Sequence, residues 1–230
     1  MSETYADHAH LVSHQSYREQ AREIIRGMIV SGTMAPDDLY SAPKIAADLN
    51  VSVTPVREAL LDLVQEGLLR PIRNRGFQVV ILTPREHDDI YKIRLLLEVP
   101  SIGQIAQDAP SAEQMTRLEE LATAAERFAQ DGDLLSYLKA DRQFHIQLID
   151  LLDNKPLTDL VASLRDRVRL IGLANTGAKA HVVRSAAEHF DLLKRIAAGD
   201  AEGATAIMAQ HLRRSRDVWG SAEVESTGKR

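Results

Sequence analysis

Apolar residues recur at helical spacing from near the start of the chain. Between Tyr17 and Ile29, the residues Ala21, Ile24, Ile25, Met28 and Ile29 repeat with a 3.6-residue period, and Ser16 with Glu19 forms a capping box ahead of them. A break from Gly32 to Asp38 follows, and Lys44 to Leu49 reads as a short helix. Asn50-Val51-Ser52 leaves room only for a tight turn before a helix over Thr54 to Glu66, ended by Gly67. The pattern then changes to strand-like segments at Leu68–Ile72 and Phe77–Ile81. Between them lies Arg73-Asn74-Arg75-Gly76, a turn sequence in which Gly76 can take positive φ. Helix, short helix, turn, helix and hairpin is the order of a winged helix-turn-helix.

A second regime starts at Thr83-Pro84-Arg85-Glu86, where a capping threonine, an N1 proline and a box-completing glutamate coincide. Helical periodicity then predicts spans near 85–108, 112–130, 133–152, 156–174, 182–198 and 201–218, with no convincing strand. Ser111 with Gln114 is another capping box, and Gly199-Asp200 reads as a stop and a new start. The expected fold class is mainly α: an N-terminal winged helix-turn-helix with a small β wing, and a C-terminal all-α antiparallel helical bundle. The expected division is a disordered tail over 1–14, a DNA-binding domain over 15–81, a helical domain over 82–219 and a disordered tail over 220–230.

Composition narrows the chemistry. The 230 residues contain no cysteine, which excludes a disulfide framework, a thiolate zinc finger, an iron–sulfur cluster and a cysteine nucleophile. No apolar run approaches the roughly 20 residues of a membrane span, and the first residues lack a signal-peptide pattern. A cytoplasmic protein with no membrane partner is therefore expected. The net charge of −5 speaks at first against nucleic acid. Counting by segment removes the objection: residues 15–80 hold eight basic and eight acidic side chains, while Gly67 to Arg85 contains Arg70, Arg73, Arg75 and Arg85 and no acid. Positive charge is thus concentrated on the expected wing.

With Ser52 as N-cap, Val53, Thr54 and Pro55 fill the first turn of the second helix-turn-helix helix. Val56, Leu60 and Leu63 share its core face, while Thr54 and Arg57 lie on another flank, free to enter a major groove. Arg57 suits a guanine or phosphate contact; in isolation it could equally be a surface ion pair. The ordered set Leu49-Asn50-Val51-Ser52, Thr54-Pro55-Val56-Arg57-Glu58-Ala59-Leu60, Glu66-Gly67-Leu68 and Arg75-Gly76 resembles the winged-helix signature of GntR-family transcriptional regulators. The resemblance implies DNA contacts from Ser52, Val53, Thr54, Arg57, Arg73, Arg75 and Gly76. Similar proteins commonly carry arginine where this chain has Val53, and a Glu-Arg pair where it has Ala42-Pro43. Val53 can still meet a thymine methyl, so the usual operator sequence is not carried over.

Asp141 and His145 are four apart on one expected helix, and His189 and His211 lie on the last two. A helical core could bring the four together as a divalent-metal site, although each could equally be structural. Imidazole and carboxylate without thiolate suit zinc, nickel, iron or manganese and do not choose among them. Asp141-x-x-x-His145, Glu188-His189 and the run from Ala197-Ala198-Gly199-Asp200-Ala201 to His211-Leu212 resemble the FCD effector-binding domain of the FadR subfamily. That resemblance implies a metal held by Asp141, His145, His189 and His211, with zinc first and nickel or manganese as alternatives. It also implies a small carboxylate effector facing Arg94, whose other reading is a helix-surface pair with Glu98. His8, His10 and His14 (in the expected tail), His87 (opening a helix) and His181 (in an expected loop) read as solvent-facing. The combined expectation is a homodimeric repressor that binds a palindromic double-stranded operator and answers to an organic acid. Two alternatives stand beside it: a metal-dependent hydrolase using the same residues, and a regulator whose metal is purely structural.

Overall fold

The computed structural model describes residues 16–30, 32–168 and 178–220. Its N-terminal part contains α1 (Tyr17–Val30), α2 (Ala42–Asp48), α3 (Val53–Gln65), β1 (Leu69–Ile72) and β2 (Gly76–Val79). The Ser16–Glu19 box forms, with the Ser16 amide donating to Glu19 at 2.8 Å and the Glu19 amide to Ser16 Oγ at 3.2 Å. Helix α2 begins earlier than its periodicity suggested, because Ser41 caps it by accepting from the Lys44 amide and Pro43 is accommodated in its first turn. The strands pair antiparallel from Leu69↔Val79 to Ile72↔Gly76, and Tyr40 adds a bridge to Phe77 through two backbone bonds of 2.8 Å. Ala21, Ile25, Ile29, Ile45, Val56, Leu60, Leu63, Leu68 and Val79 form one core. Ile24, expected to share the apolar repeat, is instead 47% exposed.

The remaining helices are α4 (Pro84–Asp108), α5 (Ala112–Asp131), α6 (Leu134–Asp150), α7 (Lys155–Val168), α8 (Ala178–Ala197) and α9 (Ala201–Gly220). Capping boxes at Thr83/Glu86 and Ser111/Gln114 open α4 and α5 as expected. Gly199 takes φ +67°, and Asp200 accepts from the Gly203 amide at 2.8 Å, giving the expected stop and restart. Helix α4 packs on α9, and α5 packs on α6 and α8. A core built on Ile102, Leu118, Phe144, Leu148, Val161, Leu193, Met208 and Leu212 fills the bundle. Beside it, Ala125, Ala129, Ala140 and Ala186 line the meeting of α5, α6 and α8. Small side chains there let α6 and α8 both pack closely against α5. Helix α8 starts before the expected residue 182 and takes His181 out of the expected loop. The expected helical residues 169–174, the tails 1–14 and 221–230, and with them His8, His10 and His14, lie outside the described residues; Gly220 belongs to α9.

Candidate metal centre and nucleic-acid interface

Asp141 and His145 come from α6, His189 from α8 and His211 from α9. All four are buried, and one ligand-type atom from each lies within 4.8 Å of the others. Asp141 Oδ1 is 3.2 Å from His189 Nε2 and 3.8 Å from His145 Nε2, and it accepts from the Tyr137 hydroxyl at 3.2 Å. His145 Nε2 is buried with no hydrogen-bond partner, an arrangement costly for a polar atom unless something else engages it. Phe144 stacks on His189 with ring centroids 4.2 Å apart and meets His145 edge-on at 5.1 Å. His211 Nδ1 lies 3.0 Å from Glu188, which also pairs with Arg214. The Glu188 contact occupies Nδ1 of His211 and leaves Nε2 available, the way a carboxylate commonly orients a metal-binding imidazole.

The electrostatics favour neutral rings. Burial, followed by the Arg165 charge and the neighbouring imidazoles, holds His145 well below the usual histidine range. Burial likewise pushes His211 down to about 4 despite the opposing pull of Glu188. Neutral imidazole is the metal-binding form, and the donor set of three nitrogens and one carboxylate fits a first-row divalent ion.

Arg94 is 4% exposed and Glu98 0%, so their pair is a buried one and not the surface pair that helix spacing permits. Arg94 Nε donates to Glu98 Oε1 at 2.6 Å, and Arg165 of α7 donates to Glu98 Oε2. Both guanidinium groups line a cavity with Tyr137, Asp141, Ser185 and His211. Sequence reasoning missed Arg165, and it quoted Glu188 within the Glu188-His189 motif without giving it a role. Arg165 sits 67 residues from its carboxylate partner, a distance no local pattern spans. Two other expectations are corrected. His87 is 2% exposed, and neither of its ring nitrogens has a hydrogen-bond partner; it opens α4, yet lies within two turns of Arg94 on the same face. His181 is half-buried on α8.

At the N-terminal end, Asn50 adopts φ +53° in the turn and Ser52 has the extended conformation of an N-cap, without a side-chain cap bond. Ser52, Val53, Thr54 and Arg57 are exposed at the start of α3, while Val56, Leu60 and Leu63 are fully buried. Arg73 and Arg75 are exposed at the tip of the hairpin. Among the described residues, Arg57, Arg73 and Arg75 enter no ion pair, whereas Arg70 donates to Gln78. A Cβ at Gly76 would stand 2.3 Å from the Tyr40 carbonyl oxygen, so the wing is pinned where only glycine fits. No described helix is long and apolar enough to cross a membrane.

Comparison with known proteins gives two family matches: "Bacterial regulatory proteins, gntR family" over residues 17–79, and "FCD domain" over residues 89–214. The chain is 29% identical over 152 residues to the uncharacterized HTH-type transcriptional regulator YdhC of Bacillus subtilis, covering 66% of this chain and 67% of that protein. It is 30% identical over 158 residues to the gluconate operon transcriptional repressor of the same organism, covering 64% and 63%. Among solved structures, Escherichia coli McbR/YncC superposes with a TM-score of 0.79 over 90% of this chain and 98% of that one, at 23% identity. That likeness supports the two-part fold.

Proposed function

Because this chain belongs to the GntR family of DNA-binding transcriptional regulators and carries an FCD domain, we propose that it is a repressor controlled by a small carboxylate bound beside a divalent metal. The family and the relatives are regulators and not enzymes, so the hydrolase alternative is set aside. The division of labour follows the two cores: residues 15–81 read DNA, and residues 82–219 sense the ligand and dimerise, in the cytoplasm. The observation that carries the metal reading is the buried group of Asp141, His145, His189 and His211, with its ligand atoms within 4.8 Å.

In this reading those four side chains hold the ion, with zinc the first candidate and nickel or manganese the alternatives. When bound, the metal supplies a Lewis-acidic point that attracts a carboxylate oxygen. Arg94 and Arg165 supply two further cationic donors on the cavity wall, and Ser185, Ser215 and Tyr137 add hydroxyls. Such a lining recognises a hydroxylated organic acid better than an apolar or cationic ligand. The name of the gluconate operon relative agrees with a repressor answering to that class. Exposed Ile93 and Leu96 on α4 offer an apolar strip for a second copy, and a two-fold dimer matches a palindromic operator. Ser52, Val53, Thr54 and Arg57 enter the major groove in this arrangement, and Arg73, Arg75 and Gly76 carry the wing to the backbone.

The test combines metal analysis with ligand binding. Wild-type protein is expected to carry about one zinc per chain, and His145→Ala with His189→Ala to carry none; a full equivalent in the double variant refutes the ligand set. A thermal-shift screen of hydroxylated carboxylic acids, with and without zinc, is expected to show metal-dependent stabilisation. Stabilisation that survives complete metal removal would instead support a purely structural ion.

A further inference from the structure

Three consecutive residues in the last described turn of α7 face three parts of the molecule. Arg165 points into the bundle, where its Nε donates to Glu98 Oε2 at 3.0 Å beside Asp141 and His211. Asp166 turns toward the winged helix: its Oδ2 accepts from Arg26 Nη1 of α1 at 2.5 Å, and Arg142 of α6 holds both oxygens at 2.6 and 2.9 Å. Arg26 is paired in turn with Glu66, the C-cap of α3, at 2.6 Å. Arg167 packs over Gly67, the positive-φ residue just after α3, with its Nε 3.1 Å from where a Cβ would stand. Successive helical side chains are about 100° apart, so one turn reaches all three sites without distortion.

We propose that the Arg165-Asp166-Arg167 turn couples the cavity to the position of the DNA-reading helices. The inference rests on an anionic effector entering the cavity as described above. An incoming carboxylate competes with Glu98 for the guanidinium donors of Arg165. Moving Arg165 carries the same helical turn with it, which draws Asp166 from Arg26 and Arg167 from the end of α3. The cavity is about 20 Å³, room for about one water, so a larger ligand must displace its walls. Beside the Arg26–Asp166 pair, a groove of about 610 Å³ lies between α1 and α6, bordered by Ile24, Met28, Leu135 and Lys139. At this edge the Arg26–Asp166 ion pair ties α1 to α7 next to open space. Paired buried charges are strongly geometry-dependent, so a small displacement separates two discrete arrangements and does not grade smoothly between them.

The test is hydrogen exchange on the full-length protein without added ligand, in a double-mutant cycle. Glu98→Gln is expected to speed amide exchange of residues 17–29 at least tenfold, and to add less than twofold once Arg26→Gln is present. Arg165→Met perturbs the same joint with an uncharged side chain and covers the case in which Glu98→Gln does not fold. In the reverse direction, Arg26→Gln is expected to raise exchange in residues 155–168, since coupling is reciprocal. Exchange in α1 within twofold of wild type for Glu98→Gln and Arg165→Met, or effects that simply add to those of Arg26→Gln, overturns the proposal. Zinc content is measured on the same preparations: wild type without zinc removes the metal-centre reading, while the exchange cycle still decides the coupling.

Discussion

The wing depends on a close approach that one methyl group should break. Gly76 has φ +121° and faces the Tyr40 backbone, with an added Cβ 2.3 Å from the carbonyl oxygen and 3.0 Å from its carbon. Backbone cannot move aside as a flexible side-chain end can. Gly76→Ala must therefore separate Tyr40 from Phe77 and lose the two 2.8 Å bonds between them, at about 1 kcal/mol each. Holding alanine at a left-handed φ adds about 1–2 kcal/mol. A total of about 3–4 kcal/mol lowers the melting temperature of a domain this small by at least ~10 °C. The matched control is Gly27→Ala in α1, where nothing lies within 4 Å of the added Cβ; helix propensity there predicts a gain of about 0.5–1 kcal/mol. Calorimetry of the full-length variants reads both, and exchange at the Phe77 amide localises the first. A Gly76→Ala transition within 1 °C of wild type, with Phe77 still protected, refutes the reasoning.

Arg57→Ala is expected to weaken binding to a duplex selected from a random library by at least tenfold at physiological salt while leaving the oligomeric state unchanged; unaltered gel-shift affinity removes the recognition-helix assignment. For metal-free protein, the folded state holds His211 at about 4, below an unfolded value near 6.5. The folded chain therefore binds fewer protons, and stability present above pH 6.5 is lost as the pH falls toward 4. His211 alone accounts for roughly 2 kcal/mol at pH 5, so urea midpoints measured with chelator should drop between pH 7.5 and 5, and a flat profile contradicts the burial argument. Truncation after residue 82 is expected to leave a folded monomer with weak DNA binding, checked by sedimentation and gel shift; tight palindrome binding by that fragment would contradict dimerisation through the helical domain.

Local rules made much of this molecule readable in advance. Capping residues at Ser16, Thr83 and Ser111 act within one turn, and the apolar repeat of Val56, Leu60 and Leu63 reports its own buried face. Asp141 and His145 share a helix face by spacing, so their meeting was legible; the arrival of His189 and His211 depended on how α6, α8 and α9 pack, and the family resemblance supplied it. Ile24 fits the repeat yet stays exposed, because the space beside it is a groove. His87 reads as a surface residue at a helix start, but Leu82, Ile90, Leu164 and Val168 form an apolar cluster around that end of α4, two of them far along the chain. The Arg94–Glu98 pair was legible from its four-residue spacing, whereas its burial, the Arg165–Glu98 pair and the Glu188 contact to His211 are long-range matters, and charge sequence carries no mark of which distant acid will meet which base.

The unpaired arginines of the reading domain have a thermodynamic consequence. If the chain binds as the proposed dimer and Arg57, Arg73 and Arg75 each neutralise one phosphate, about six condensed counterions are released on binding, and the logarithm of the affinity falls with that of salt with a slope of about −5. Residues 81–230, with 20 basic and 23 acidic side chains, add no net positive charge to this attraction. Non-specific residence on DNA is then short, and time spent at the operator reflects base-edge contacts more than charge.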